Sequence, residues 1–361
     1  MIVGGGVIGL SIARALSLRG VRVMVLEKNE CGREASWAAG GILAPQVEAD
    51  GQDSFLELAC ASRDLYPQFA RSLFDESAID IELDTTGTLY VAFNEAEERE
   101  FRARFAWQNS VGLRVEWLNA EEARALEPSL ATNVRCALRF PNDYQVENRR
   151  LVEALIISNR KLGTVLLDHC EVRLVQIADG RISGVETSQG YIKASSVVIA
   201  AGAWSSFIDP GDQLRVEPVR GQMLCFRAER KFISHVVYSS RGYLIPRRDG
   251  RLIAGSTSER VGFNKGVTTE GREKIKSLAT EIAPGVAEIP LIDSWSGFRP
   301  RAHDDLPVLG MSPEIDGLFY ATGHYRNGIL LAPVTGELLA EAIISRKVSP
   351  LLAPFTPAAR V

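Results

Sequence analysis

Three glycines within the first nine residues restrict this chain more than any other feature. In "MIVGGGVIGLSIARALSLRGVRVMVLEK", Gly4, Gly6 and Gly9 stand at G-x-G-x-x-G spacing, and Glu27 follows Gly9 by 18 positions. A short apolar strand runs into the turn. Ile8, Ile12, Ala15 and Leu16 then share one helical face, with Arg14 and Arg19 expected away from it. Gly20 stops the helix, and "VRVMVLE" is a second strand that ends in the acid. Each glycine has a physical reason. Gly4 permits the tight turn, Gly6 lets backbone approach a pyrophosphate, and Gly9 lets the helix pack on the strand. Val7 and Ile8 open the helix, whose unpaired N–H groups and positive dipole end suit phosphates. Glu27 is placed to accept hydrogen bonds from ribose hydroxyls. The unit reads as dinucleotide-binding, the plainer alternative being a structural turn with Glu27 exposed. The opening strand is unusually short, so a start a few residues upstream is left open.

The remainder alternates. Helical stretches are expected at Leu56 to Leu73, in "NEAEEREFRARFAWQNSVG" and in "ENRRLVEALIISNRKLG". Strands are expected in "TTGTLYVAF", at Thr164–Leu167, at Glu171–Ile177 and in "SSVVIAAG", the last apolar throughout as in a strand buried on both faces. From Arg215 to Ser256 the pattern is β-rich, and the "RDG" inside "GYLIPRRDGRLIAGST" marks a hairpin. The chain closes on the strand "GLFYATG" and the helix "ILLAPVTGELLAEAIISR". This order predicts one α/β domain assembled from the start, middle and end of the chain, with a more antiparallel domain inserted.

With 361 residues, two domains or one large one are possible. The net charge of −4 supplies no basic patch and argues against a nucleic-acid partner. No apolar run reaches the ~20 residues that span a bilayer. The N-terminus lacks a charged segment and a cleavage site, so a cytoplasmic location is expected. Five scattered cysteines without C-x-x-C spacing and four dispersed histidines predict neither a disulfide framework nor a metal site.

The glycine turn alone fits FAD or NAD. "KNECGREASWAAGGILAP" adds Arg33 and Ser36, then the side-chain-poor row Ala38, Ala39, Gly40 and Gly41, where a flat ring can lie against backbone. The far end decides for a flavin. In "GHYRNGILLAP", a helix beginning near Gly328 would aim its positive end at the same crevice, with backbone donors from Asn327 to Leu330. That arrangement would stabilise the negative charge a flavin gains at N1 and C2=O on reduction, and Gly323 and Gly328 permit close approach to the ring.

Together "VGGGVIGL", "GREASWAAGGILAP", "VVIAAGAWS", "PVRGQM", "GYLIPRRDGRLIAGST", "GFRPRAHDDLPVLG" and "TGHYRNGILLAP" resemble the D-amino-acid-oxidase-like FAD oxidoreductases. Within that family the pattern is nearest to the glycine oxidases of thiamine biosynthesis. The resemblance implies an FAD-binding Rossmann-like (glutathione-reductase-like) α/β domain with an inserted α+β substrate domain built on an antiparallel sheet. The segments are expected at 1–85, 146–215 and 304–361 for FAD, and at 86–145 and 216–303 for substrate. It implies noncovalent FAD, a small amino-acid substrate and oxygen as partners, and oxidation of glycine, sarcosine or small D-amino acids to the imine or oxo acid with hydrogen peroxide. A D-amino-acid dehydrogenase passing electrons to a quinone or partner subunit, and a flavin-binding scaffold without turnover, stay open. So does the oligomeric state, a homo-oligomer included.

Residue by residue, the resemblance places Arg299 of "GFRP" on the substrate carboxylate, Tyr243 of "GYLIP" beside it, and Arg326 of "HYRNG" at the active-site edge. FAD contacts carry over to Gly4, Gly6, Val7, Ile8, Gly9, Glu27, Lys28, Arg33, Ser36, Ala38, Ala39, Gly40, Gly41, Val172, Gly202, Trp204 and the run Gly323, His324, Tyr325, Arg326, Asn327, Gly328, Ile329 and Leu330. Ser258 and Arg241 depart from the glycine oxidase pattern and are expected near the substrate. Physics supports Arg299 separately: a guanidinium holds a carboxylate through two charge-assisted hydrogen bonds. The competing expectation is a surface arginine paired with Asp304 or Asp305. Tyr243 could equally be a sheet-face aromatic, and His324 is expected to be structural. No protein base is required if the amine reaches the flavin deprotonated and the α-hydrogen leaves as hydride to N5.

Overall fold

The computed structural model describes residues 1–211, 214–229 and 231–359; positions 212–213, 230 and 360–361 of the expected segments lie outside these. Two large sheets carry the fold, and the chain alternates between them. The six-stranded sheet has the order Val308–Met311, Leu318–Thr322, Val197–Ile199, Ile2–Val3, Met24–Leu26, Val165–Leu167. Its pairs are parallel except that Val308–Met311 runs against Leu318–Thr322. The short strand Ile2–Val3 therefore sits between Val197–Ile199 and Met24–Leu26, and the glycine turn opens at their C-terminal ends. In open α/β sheets that edge is where ligands bind.

Four helices pack around this sheet in one core: Val7–Leu18, Ser54–Ser77, Asn148–Lys161 and Gly328–Ser345. The opening helix is buried from Val7 to Leu16, including Arg14, which was expected to face away. The reason is Ser54–Ser77, which covers the other face and supplies Glu76, 2.5 Å from Arg14. Gly336 lets the last helix approach the first, because a Cβ there would lie 2.9 Å from the Ser11 carbonyl oxygen. That last helix is long and apolar enough to cross a membrane, but most of it is buried in this core.

The eight-stranded sheet has the order Leu291–Ala302, Val216–Arg227, Arg251–Gly255, Tyr243–Pro246, Val236–Tyr238, Thr88–Ala92, Cys136–Phe140, Glu116–Asn119. It is antiparallel apart from one parallel pair, Val236–Tyr238 with Thr88–Ala92. That pair joins the two stretches of chain from which the sheet is built. The expected hairpin forms: Gly250 takes φ +85° and the N–H of Gly250 reaches the carbonyl of Arg247. The segment "SWSGFRPRA" is part of a strand, Leu291–Ala302, paired along Val216–Arg227 with Trp295 to Phe298 buried.

Candidate active site

A cavity of about 580 Å3 lies between the two sheets, within the usual range for a small-molecule site. At one end is the glycine turn. Gly4 takes φ +111°, and a Cβ there would meet the Ala200 carbonyl oxygen at 2.3 Å. A Cβ on Gly9 would meet the Gly4 oxygen at 2.0 Å, so Gly9 is spent on helix packing and does not line the cavity. Gly6, Val7 and Ile8 do line it. The Val7 N–H reaches Ser36 Oγ at 2.9 Å, which closes Ser36 over the turn. Glu27 accepts the N–H of Gly5 (2.8 Å) and of Asn29 (3.0 Å) and faces the cavity; burial raises its pKa, and these two bonds partly offset the rise. Lys28, Arg33 and Val172 complete this end, Lys28 paired with Glu171 at 2.9 Å and Arg33 with Glu30 at 3.1 Å.

The middle is formed by backbone. Ala38, Ala39, Gly40 and Gly41 lie along the cavity, and Ala38 and Gly40 also lie against the eight-stranded sheet. A Cβ on Gly40 would stand 2.7 Å from Ile245 Cδ1, and one on Gly297 would stand 2.5 Å from the Ala38 Cβ. Gly202 (φ +53°) and Trp204 line the opposite stretch, Trp204 packing on Phe263 and Phe298 at 5.1 and 6.1 Å.

A second helix N-terminus reaches the same space. Gly328–Ser345 starts there with Asn327, Gly328 and Ile329 on the cavity wall. Neither this helix nor Val7–Leu18 has a side-chain cap from its N-cap residue or an acid in its first turn. Two positive helix ends thus face one cavity without a built-in counter-charge. The preceding turn is tied to the eight-stranded sheet: the Tyr325 N–H reaches the Pro300 carbonyl at 2.8 Å. His324 is buried beside Thr335 Oγ1 (3.3 Å), and burial lowers its pKa to about 3, so it stays neutral. Gly323 and Leu330 stand behind the wall: Gly323 faces Ala302, and the Leu330 carbonyl accepts from Ser62 Oγ at 2.6 Å.

The other end holds Arg299, Tyr243 and Arg326. The Arg299 guanidinium donates to the Thr257 carbonyl (3.0 Å) and Ser256 Oγ (2.7 Å), and has no ion-pair partner among the described residues. Asp305, one expected partner, pairs with Arg301 instead. Room for the guanidinium comes from Gly221, where a Cβ would be 2.2 Å from Nη1. Among the described residues the Tyr243 hydroxyl finds only the Met223 thioether, at 3.5 Å. Arg326 is paired with Glu48 at 3.1 Å.

Ser258 and Arg241 are not brought to this site. Ser258 is exposed beyond the cavity wall, and it is Ser256, two residues earlier, that meets Arg299. Arg241 is exposed, outside the cavity lining, and pairs with Glu281 on the helix Thr269–Ile282. Glu48, Tyr238, Met223 and Gly221 line the cavity without having been singled out from sequence. Only Gly221 carried a signal, as the glycine inside "PVRGQM".

The residues present fit an FAD. A glycine turn and acid stand at one end, a side-chain-poor wall in the middle, and two helix ends without acids in their first turns point in where charge must be met. Comparison with known proteins agrees. The family model for FAD dependent oxidoreductases matches residues 1–342. A glycine oxidase of Pseudomonas aeruginosa is 37% identical over 367 aligned positions, covering 100% of this chain and 99% of that protein. A bifunctional protein ThiO/ThiG of Synechocystis is 36% identical over 99% of this chain, which spans 53% of that protein. The crystal structure of glycine oxidase from Geobacillus kaustophilus has a TM-score of 0.94 at 36% identity, covering 98% of this chain and 96% of that one. The chain belongs to the FAD dependent oxidoreductase family and is an FAD-dependent amine oxidoreductase.

Proposed function

We propose that the chain oxidises glycine and other small amino acids or amines, sarcosine and small D-amino acids among them, to the imine or oxo acid, and serves thiamine biosynthesis. The observation that carries this is Arg299: a cavity-lining guanidinium with no ion-pair partner among the described residues, seated over Gly221 in the cavity that Tyr243 also lines. Such a group is suited to a substrate carboxylate. Segments 1–85, 146–215 and 304–361 act as the FAD-binding part, and 86–145 with 216–303 as the substrate-binding part.

When bound, FAD would supply a two-electron acceptor for the amine, with oxygen as the final oxidant and hydrogen peroxide as its product. The chain supplies position and field. Arg299 and Tyr243 fix the carboxylate and so the α-carbon, which removes most of the orientational entropy from the step. Gly4, Gly6, Val7, Ile8 and Ser36 hold the pyrophosphate, and Glu27 holds the ribose. Asn327, Gly328 and Ile329 present the helix end that favours negative charge on the reduced cofactor. His324, neutral and buried, stays out of proton transfer.

Purified protein is expected to be yellow, with flavin released by acid. Glycine or sarcosine added without oxygen should bleach it, and air should restore the colour with peroxide formed. A flavin that no small amino acid bleaches would overturn the proposal. Bleaching without peroxide would assign the electrons to another acceptor. Arg299→Ala should raise KM at least about tenfold and leave FAD bound, the loss expected of one charge-assisted clamp.

A further inference from the structure

The substrate end of the cavity contains a carboxylate that the amine-oxidising role does not use. Glu48 Oε1 accepts from Arg326 Nη2 at 3.1 Å and from the Tyr238 hydroxyl at 3.2 Å. Tyr238 in turn packs on Tyr243, ring centroids 5.4 Å apart. Contacts therefore run from Tyr243 through Tyr238 to Glu48 and Arg326, on the cavity that Arg299 also lines.

Glu48 is held in place with unusual thoroughness. It ends the four-residue helix Pro45–Glu48. The N–H groups of Gln46 and Val47 donate to the fully buried carboxylate of Asp143, at 3.4 and 3.1 Å. The Gln46 side chain is bonded to Gln108 and to Arg63, both at 3.0 Å, and Arg104 reaches the Val47 carbonyl at 3.1 Å. These side chains are all buried. Burying so many polar groups is costly unless each is satisfied, and here their bonds converge on one turn. A surface ion pair needs no such support.

Two guanidinium groups face this end of the cavity. Left alone, both would take carboxylates. We propose that Glu48 sets the charge class of the substrate: bound to Arg326, it leaves Arg299 as the one guanidinium of this end without an ion-pair partner among the described residues, so the site accepts amino acids with a single acidic group and disfavours those with a second. This rests on the amine-oxidising role proposed above. A second substrate carboxylate would have to displace Glu48 from Arg326, or lie beside its like charge.

The test uses the FAD-bound protein and two pairs of probes. Glycine and iminodiacetate compare one and two acidic groups in turnover, through kcat/KM. Acetate and malonate compare them in binding, through perturbation of the flavin absorbance. In Glu48→Gln, both diacid-to-monoacid ratios should rise about tenfold or more, since one charge-assisted pair becomes available. Adding Arg326→Gln should return both ratios toward the starting values, which a merely structural role for Glu48 would not do. Unchanged ratios in Glu48→Gln overturn the proposal. If that variant does not hold FAD, Arg326→Gln alone decides: it leaves Glu48 unneutralised, so malonate should weaken relative to acetate, and an equal or higher ratio is a refutation. Should the wild-type protein oxidise no amino acid, the role proposed above fails, while the malonate-to-acetate comparison still judges Glu48.

Discussion

Arg299 and Gly221 show how the residue proposed to bind the carboxylate depends on a position with no side chain. The two lie on adjacent paired strands, where Arg299 faces Val219 and Gly221 faces Gly297, so the long arginine crosses the sheet over its neighbour's glycine. A Cβ at Gly221 would sit 2.2 Å from Nη1 and 2.5 Å from Cζ and Nη2. Gly221→Ala should therefore displace the guanidinium and raise KM for carboxylate substrates several-fold to about tenfold, with flavin retained. Steady-state kinetics with acetate titration checks this, and an unaltered KM would mean that Arg299 acts from another position. Arg299 and Tyr243 were picked out in sequence through the resemblance carried by "GFRP" and "GYLIP", and both line the cavity. Ser258 and Arg241 were misplaced because nearness to Tyr243 or Ser256 along the chain says nothing about direction. Arg241 precedes the strand Tyr243–Pro246 and turns outward to Glu281, and Ser258 follows a strand end whose inward residue is Ser256.

Among elements, the short helix Pro45–Glu48 has little sequence signature beyond Pro45 at its first position, because its support comes from distant side chains. Asp143, 97 and 96 positions from the two N–H groups it accepts, is completely buried. Burial raises its pKa from 3.8 to about 7 against the opposing pull of Arg63 and those N–H groups. An unfolded chain loses this proton near pH 4 and the folded one near pH 7. Stability from this group is thus full below about pH 4 and falls as pH rises to about 7, with no further change above. Asp143→Asn should abolish that component. The thermal midpoint of the variant, measured with FAD at fixed concentration, should gain on wild type between pH 5 and pH 8; parallel curves would place the Asp143 titration elsewhere. The same dependence on remote partners explains the strand Leu291–Ala302. Its polar letters suggest a loop, yet Val216–Arg227 alongside it supplies the pairing and the cover. Segments whose period shows in their own residues, such as Val7–Leu18 or Asn148–Lys161, were readable directly.

At the scale of the molecule, the cofactor cavity is where the two sheets meet. Val3, Leu26 and Ala321 come from or adjoin the parallel sheet, while Met223, Tyr243 and Arg299 come from the other. The sequence shows the parallel unit through its glycines. It does not show the junction, because much of that junction uses backbone groups, which carry no side-chain signal: the Tyr325 N–H on Pro300, and the carbonyls of Ala38 and Gly40, which accept from Trp295 and Arg247. An FAD spanning this cavity touches both sheets, and it binds only the folded chain. A ligand with that property stabilises by RT ln(1 + [L]/Kd), about 4 kcal/mol when free ligand stands a thousandfold above Kd. Stripping the flavin should therefore lower the thermal midpoint. It should also speed hydrogen exchange where backbone forms the wall, at 35–44, 200–207 and 323–329. The helix Thr269–Ile282, packed on the opposite face of the eight-stranded sheet and outside the cavity lining, should exchange as before. Restoring FAD should reverse both changes. If exchange instead rose equally everywhere, the cofactor would be stabilising the chain as a whole. If it rose nowhere, the two sheets would be locked by their own contacts, and the cavity would be fully formed before the flavin arrives.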